Sequence, residues 1–458
     1  MSDLLSALSL AARSMAAEQA GLAVTGQNIA NVNTPGYTRR TIELAASPPT
    51  DTFSAGNGVN VAGIRAARAT LLEAQLQHEQ PAQGRAGAMA DSLSQIETVL
   101  GSPGSSVDAS LTRFYSAFSQ LAQDPASGIA RQQVLVQAQS LTSTFNDAAA
   151  RLAIEQRNAD AQVKSNVDQI DQLATKIAAL NASISTGSAT AGEAIKDQLG
   201  QALSSLSGLI DISVVPRSDG GADVSVGNGR ALVTGPNVYQ LGVTPRAGSG
   251  LADLTSAGSV ITSEVTGGSL GGFLQVRDVL LPGYMTRLDQ LAYGVATSVN
   301  AAHRAGYDLS GTAGADFFVA PAAVAGAASG MAVSAAILGN ANLIAAASTT
   351  ASGDNRNAMA IANLQQTPLA GGTTNPIDTW GALVYRVGTD AQAAASDKAG
   401  RDEIVKQLGT LRDQVSGVSL DEEAANMMKF QRAYEANARY FSAVETSLSV
   451  LMATLGRS

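Results

Sequence analysis

Apolar residues return at every seventh position at both ends of the chain. From Val418 to Ser458 the series is Leu420, Met427, Tyr434, Phe441, Leu448 and Leu455, with Phe430, Val444 and Leu451 three residues after members of it. On a helix these side chains form one continuous stripe. Ser419 followed by Glu422 has the spacing of a capping box and marks the helix start. At the other end Met1, Leu8, Met15, Leu22 and Ile29 repeat the same period, with Leu4, Leu5, Ala11 and Ala12 beside them. A strict period of seven asks for a left-handed superhelical partner, because on a straight helix the stripe would drift. Side chains of this size each forgo about 1.5–3 kcal/mol if left in water. The two ends are therefore expected to pair as a coiled coil or to be covered by another subunit.

The first helix should stop near Asn31, since Thr34 precedes Pro35 and is pushed out of the helical region. Pro35-Gly36 suits a type II turn, and Tyr37 to Ile64 reads as extended or irregular. Helical periodicity resumes near Arg65, with an interruption expected at Pro81, then runs from Ala86 to Leu100 and from Val107 to Ala122. The longest helical stretch spans Ser127 to Ser185, with Val163, Ile170, Ile177 and Ile184 seven apart. Unbroken, it would extend roughly 90 Å, a length that belongs in a rod-shaped bundle. Between Ile210 and Thr266 short alternations such as Ile212-Ser213-Val214 and Val224-Ser225-Val226 are separated by Gly, Asp and Pro, predicting a small antiparallel β domain. Helix returns from Leu270 to Ala302, interrupted at Pro282. The Gly/Ala-rich stretch from Ala305 to about Gly353 is expected to revisit the β domain. Asn355–Gln365 and Thr379–Val415 are expected to rejoin the rod.

The fold class is thus mainly α with a smaller β domain: a terminal coiled coil, a long-helix rod-like bundle and an inserted antiparallel β domain. The expected division is 1–40 with 418–458 for the coiled coil, 41–205 with 268–304 and 354–417 for the helical rod, and 206–267 with 305–353 for a β-rich outer domain. A chain of 458 residues exceeds a single core, in keeping with several domains.

Composition removes most chemistry. There is no Cys, there are two His and one Trp, and aromatic residues make up 4%, so metal ligands and nucleophiles are scarce. The net charge of −9, with no Lys between Lys196 and Lys398, argues against nucleic-acid binding. Met1-Ser2-Asp3 lacks the basic start of a cleavable signal. Ala320 to Ala347, the one membrane-like stretch, is broken by Pro321, Ser329, Ser334, Asn340 and Asn342, so no membrane span is expected. Asp308-Leu309-Ser310-Gly311-Thr312 with Asp316 lacks the carboxylate spacing and terminal Glu of a calcium loop and reads as a surface turn. His78 and His303 stand alone, as polar positions on helices. Asp421, Glu422 and Glu423 sit where a helix dipole favours negative charge, so they read as first-turn carboxylates rather than as an acid/base set. Gly227-Asn228-Gly229 reads as a hairpin turn. A cell-wall hydrolase would need two opposed carboxylates in a cleft, and the acidic residues of the middle region are scattered through turns. No catalytic residue, metal or cofactor is assigned.

The segment Asn28-Ile29-Ala30-Asn31-Val32-Asn33-Thr34-Pro35-Gly36-Tyr37-Thr38-Arg39 resembles the signature of bacterial flagellar axial proteins, the rod, hook and hook-associated subunits. Leu111-Thr112-Arg113-Phe114-Tyr115-Ser116-Ala117-Phe118 through Leu121-Ala122, and then Ala130-Arg131-Gln132-Gln133-Val134-Leu135, narrow the resemblance to the family of hook-associated protein 1, the first hook–filament junction proteins. Gly268-Ser269-Leu270-Gly271-Gly272, His303-Arg304-Ala305-Gly306 and Leu420-Asp421-Glu422-Glu423 through Phe430-Gln431 extend it over nearly the whole chain. The resemblance implies a non-enzymatic structural subunit, exported through the flagellar type III pathway and polymerising on the hook tip. It also implies an extracellular place at the hook–filament junction. Implied partners are hook protein, the second junction protein, sister copies in a ring, a cytoplasmic export chaperone and the export apparatus. Asn28, Asn31, Asn33, Pro35, Gly36, Tyr37 and Arg39 become the assembly motif. Leu8, Met15, Leu22 and Ile29 become the N-terminal coil face, and the C-terminal stripe becomes both coil and chaperone face. The alternatives are another flagellar axial protein of hook or rod type, or a secreted coiled-coil translocator, which would lack the Asn33-Thr34-Pro35-Gly36-Tyr37 signature.

Overall fold

The structure, a computed structural model, describes residues 2–48, 58–100, 106–187, 189–351, 353–370 and 372–455. Helix α1 (Ser2–Ala30) is followed by a two-stranded antiparallel hairpin, β1 (Arg40–Ala46) and β2 (Val59–Ala66), where extended or irregular chain was expected. Ile42 pairs with Ile64 and Leu44 with Val61, so one hairpin face is apolar. Four long helices build the rod: α2 (Thr70–Leu100), α3 (Val107–Leu121), α4 (Gly128–Thr186) and α5 (Ala189–Leu209). Ser127 caps α4, its hydroxyl accepting from Ala130 N.

Helix α2 runs through Pro81, against the expected interruption. Packing overrides propensity there. Gly84 meets the backbone of Gly208, Gly267 closes on Pro81, and Gln80 donates to Ser204 Oγ (2.5 Å) and accepts from Ser207 Oγ (2.5 Å). The close crossing with α5 holds both halves of the helix in line.

Strands β3 (Ile212–Pro216), β4 (Ala222–Val226), β5 (Arg230–Thr234) and β6 (Asn237–Val238) form one antiparallel sheet in chain order. Strands β7 (Leu241–Pro245), β8 (Ala252–Ser256) and β9 (Ser259–Val260) form a second. In β4 and β8 alternate residues are buried, the period-two signal seen in the sequence. Helix α4 fixes the sheets through polar side chains set along its length. Asp160 Oδ1 accepts from Ala252 N (2.8 Å) and Asp171 Oδ1 from Leu241 N (3.0 Å), while Asn181 exchanges two bonds with Ala222 and donates a third to Gly235 O. These satisfy backbone groups at the starts of β4, β7 and β8 and in the β5–β6 turn.

Helix α6 (Gly268–Gln275) passes through a π turn at Val276–Leu280 into α7 (Leu281–Arg304). The widened turn comes just before Pro282, so the ring meets no regular preceding turn and the helical path continues. Arg277, in that turn, is fully buried and bonds Asp160 Oδ1 (2.7 Å), Ala252 O (2.7 Å) and Asp278 (2.7 Å). Three short or long helices complete the chain before its last: α8 (Ala335–Gly339), α9 (Arg356–Asn363) and α10 (Pro376–Ser416), the last with Asn375 capping Asp378 N. Helix α11 (Leu420–Leu455) ends the described chain.

Two buried cores share α4, which passes from one to the other between Ala159 and Val163. The first packs α2, α3, α7, α9, α10 and the front of α4 around Phe114, Phe118 and Phe145. The second packs the rear of α4, α5 and α6 against both sheets. Residues 305–353, expected beside the sheets, lie instead in the first core, where Phe317, Phe318, Ala328, Ile337 and Ile344 are buried. Phe317 and Phe318 stack on Phe114 at 5.8 and 5.6 Å between centroids, which draws this segment to α3. The segment closes on itself through backbone bonds such as Tyr307 N to Ala347 O (2.8 Å) and Val319 N to Ala332 O (2.8 Å), and helices anchor it: Asn300 exchanges bonds with Phe318, Asn146 donates to Ala328 O, and Asp289 accepts from Gly326 N and Ala328 N. Among the described residues no helix is long and apolar enough to cross a membrane.

Candidate functional site

The residues of the N-terminal signature meet those of the C-terminal helix start in one buried clasp. Asn28, at the end of α1, is buried and uses its whole amide: Nδ2 donates to Arg40 O (2.8 Å) and Glu423 Oε2 (3.0 Å), and Oδ1 accepts from Tyr37 Oη (2.8 Å) and Arg40 N (3.0 Å). Arg39 donates from Nε to Glu423 Oε1 (2.8 Å), and its guanidinium also pairs with exposed Glu422 (2.7 Å). Asn31 donates to Gln27 O and accepts from Thr34 Oγ1, closing the turn. Gly36 holds φ +73° and abuts Gln201 of α5, whose amide donates to Pro35 O. A side chain at this position would meet both strain and Gln201. Pro35 and Asn33 are exposed.

The clasp also grips the rod. Arg40 stacks over the Tyr37 ring (4.9 Å) and pairs with Asp197 of α5 (3.1 Å), which also takes Arg68 (2.7 Å). Arg39 N donates to Ser416 O (2.8 Å), Ala67 N to Arg39 O (2.8 Å) and Ala69 N to Ser416 Oγ (3.1 Å). Burial raises the Tyr37 phenol above its ordinary value, with Asp197 and Glu423 adding to the rise and Arg40 opposing it, so the hydroxyl stays a donor to Asn28. Beside the clasp a cleft of about 780 Å³ opens between the Pro35–Gly36 turn, α2, α5 and the end of α10.

Above the clasp α1 and α11 pack antiparallel, as Gly21 against Phe430 and Gln19 Nε2 to Tyr434 Oη (3.3 Å) show. The buried seam is not the large-residue heptad. Ala11, Ala17, Gly21, Val24 and Asn28 are buried, whereas Leu8, Met15, Leu22 and Ile29 are half-buried beside them. On α11 Val444 is buried; Met427, Phe430, Tyr434, Phe441, Leu448 and Leu451 are half-buried; Leu420 is exposed. Met1 and the side chain of Leu455 lie outside the described residues. Small residues let the helices approach closely, and a Cβ at Gly21 would come within 2.6 Å of the Phe430 ring. The bulky stripes are displaced to the flanks. Met428 (54% exposed), Val450 (58%) and Met452 (58%) lie open on the outer face.

Glu423, Arg40, Asp197, Arg68 and Ser416 were missed by sequence reasoning. Glu423 is indistinguishable in sequence from its capping neighbours, and only Glu422 N to Ser419 Oγ (3.5 Å) reflects the expected box. His78 is exposed, but His303 is fully buried. Asp308 Oδ1 is occupied by Ser310 N, Ser310 Oγ and Thr312 N, a self-bonded turn. Among the described residues no group of three or more His, Asp or Glu is arranged to hold a metal.

Comparison with known proteins places these features. Residues 93–318 match the family described as flagellar hook-associated protein FlgK helical domain. Residues 8–38 match flagella basal body rod protein, and 412–454 match the C-terminal region of flagellar basal body rod FlgEFG proteins. Flagellar hook-associated protein 1 of Bacillus subtilis is 28% identical over 98% of both chains. Its namesake in Salmonella typhimurium is 27% identical over 95% of this chain and 97% of its own. The solved structure of the flagellar hook junction protein FlgK from Burkholderia pseudomallei shares the fold, with a TM-score of 0.67 at 18% identity, covering 75% of this chain and all of that one.

Proposed function

We infer that this chain belongs to the flagellar hook-associated protein 1 family, and on that premise it serves as a structural subunit of the bacterial flagellum at the junction of hook and filament. The single observation that carries the mechanism is the uncovered apolar flank of the α1–α11 pair. One copy buries only the small-residue seam, which leaves the stripe Met427, Phe430, Tyr434, Phe441, Leu448 and Leu451 half in water. Sister copies in a ring are the covering we assign to it, with hook protein below and the second junction protein above. The motif Asn28, Asn31, Pro35, Gly36, Tyr37 and Arg39 acts as the clasp that sets the terminal pair against the rod, and it performs no chemistry. We divide the chain into a terminal pair (1–40 with 418–458), a helical body that includes residues 305–353, and a β-rich body around 206–267.

Before assembly the same α11 stripe is an aggregation hazard in the cytoplasm. A chaperone with a groove for an amphipathic helix, handing the chain to the flagellar export apparatus, answers it. Purified chain added to hooks capped only by hook protein should bind their ends and then permit filament growth. Binding along the sides of hooks, or no binding beside a positive control from a relative, would overturn the assignment.

A further inference from the structure

The last turn of helix α7 carries a histidine that the fold accepts in one tautomer only. His303 Nδ1 lies 2.5 Å from Ala315 O, so it carries the proton and donates. Nε2 lies 2.8 Å from Ala345 N, so it must accept. Ala315 and Ala345 lie in the early and late parts of the segment 305–353, and the imidazole joins them, as the paired bonds between Tyr307 and Ala347 also do for its outer residues. The ring also packs edge-on against Phe317 at 5.4 Å.

An imidazolium has two donors and no acceptor, so after protonation Nε2–H would point at the Ala345 N–H. The surroundings offer little compensation. Asp316 on the segment is paired with Arg304 of α7 at the surface, and Asp308 is taken up by its own turn. Arg131 of α4 is buried and bonded to carbonyls of Pro125, Asn342 and Ile344, placing a second positive charge nearby. Helix α9 contributes the neutral Asn357, donating to Ala345 O (2.6 Å). Burial holds the imidazole below its ordinary value, with Arg131 adding to this and Ala315 O, Asp316 and Asp308 opposing it.

We propose that His303 is an acid-sensitive latch: a proton taken up at Nε2 breaks the Ala345 bond and releases residues 341–347 from α7 while the clasp and both sheets stay closed. The sign follows from the native form being neutral. The latch contributes fully above the unfolded imidazole value near 6.5, and its contribution falls as pH drops below that value. Hydrogen exchange corrected for intrinsic rates should show residues 341–347 losing protection about tenfold or more between pH 7.5 and 5.0, with α2 and β3–β5 unchanged. In His303→Gln the loss should vanish. Nitrogen-15 spectra of labelled histidines should show His303 as the Nδ1–H tautomer at pH 7.5, changing together with the Ala345 amide. These spectra decide the matter alone if the variant's segment does not close at any pH. A His303 that becomes protonated between pH 7.5 and 5.0 while the segment stays protected, or an equal loss of protection in His303→Gln, would overturn the latch.

Discussion

The first core and the terminal helix pair are both built from long helices, yet they are completed differently. Around α3 the side chains of Leu111, Phe114, Phe118, Phe145 and Leu152 are wholly removed from water. Along α1 and α11 the buried apolar positions are Ala11, Ala17, Gly21 and Val24 on the first helix and Val444 on the second, and the large residues stop at the flanks. A core of the first kind stabilises itself, each aromatic burial contributing a few kcal/mol. A seam of the second kind gives close approach and geometry, and leaves most of its available burial to be gained from another chain. The rod is finished in one copy, and in the proposed function the pair is finished by assembly.

The difference can be broken from either side. Phe118→Ala should remove about 3–5 kcal/mol from the rod, seen as a large fall in the melting temperature of the middle of the chain. A fall under a third of that would mean the first core is not the source of rod stability. Arg39→Ala leaves the buried Glu423 carboxylate with only Asn28, a loss of about 3 kcal/mol confined to the clasp. Amide protection at the ends of α1 and α11 should collapse while α3 and α4 stay protected, and equal loss in α4 would show that clasp and rod are one cooperative unit. Gly36→Val forces a β-branched residue to φ +73° against Gln201, costing about 1–3 kcal/mol. It should lower attachment to hook ends more than it lowers rod melting. The sharpest contrast gives the smallest folding effect: Phe441→Ser with Leu448→Ser should leave rod melting within about 0.5 kcal/mol of wild type while abolishing hook attachment and weakening the chaperone. Chaperone affinity unchanged beside lost attachment would assign the stripe to assembly alone.

What the sequence displays is local. The long helices at both ends, the Ser127 start, the Pro35–Gly36 turn and the alternation of β4 are each written within a few residues, and each is found where its pattern lies. The seam was misread because bulky residues dominate a hydrophobic pattern, whereas helix approach is governed by small ones such as Gly21. Pro81 looks like a break until Gly208, against neighbouring Gly84, and Gly267 are brought beside it from far along the chain. Glu423 is one of three adjacent acids until Asn28 and Arg39 arrive from the opposite end. Residues 305–353 carry the Gly and Ala of a loop, and nothing in them signals that Arg131, Asn146, Asn300 and His303 will supply their hydrogen bonds. Long-range partners decide these cases, and a single chain read in order does not reveal them.

The polypeptide passes between rod and terminal pair through residues 31–39 and again through 417–419, and Arg39 N donating to Ser416 O lays the two passages side by side. A single linker would let the parts swivel about a few backbone bonds. Two chords fastened together behave as a strap, which bends across its width but opposes rotation along its length. Torque applied at one end of the subunit therefore arrives at the other as shear between two strands, and the α1–α11 pair can tilt against the rod without slipping around it.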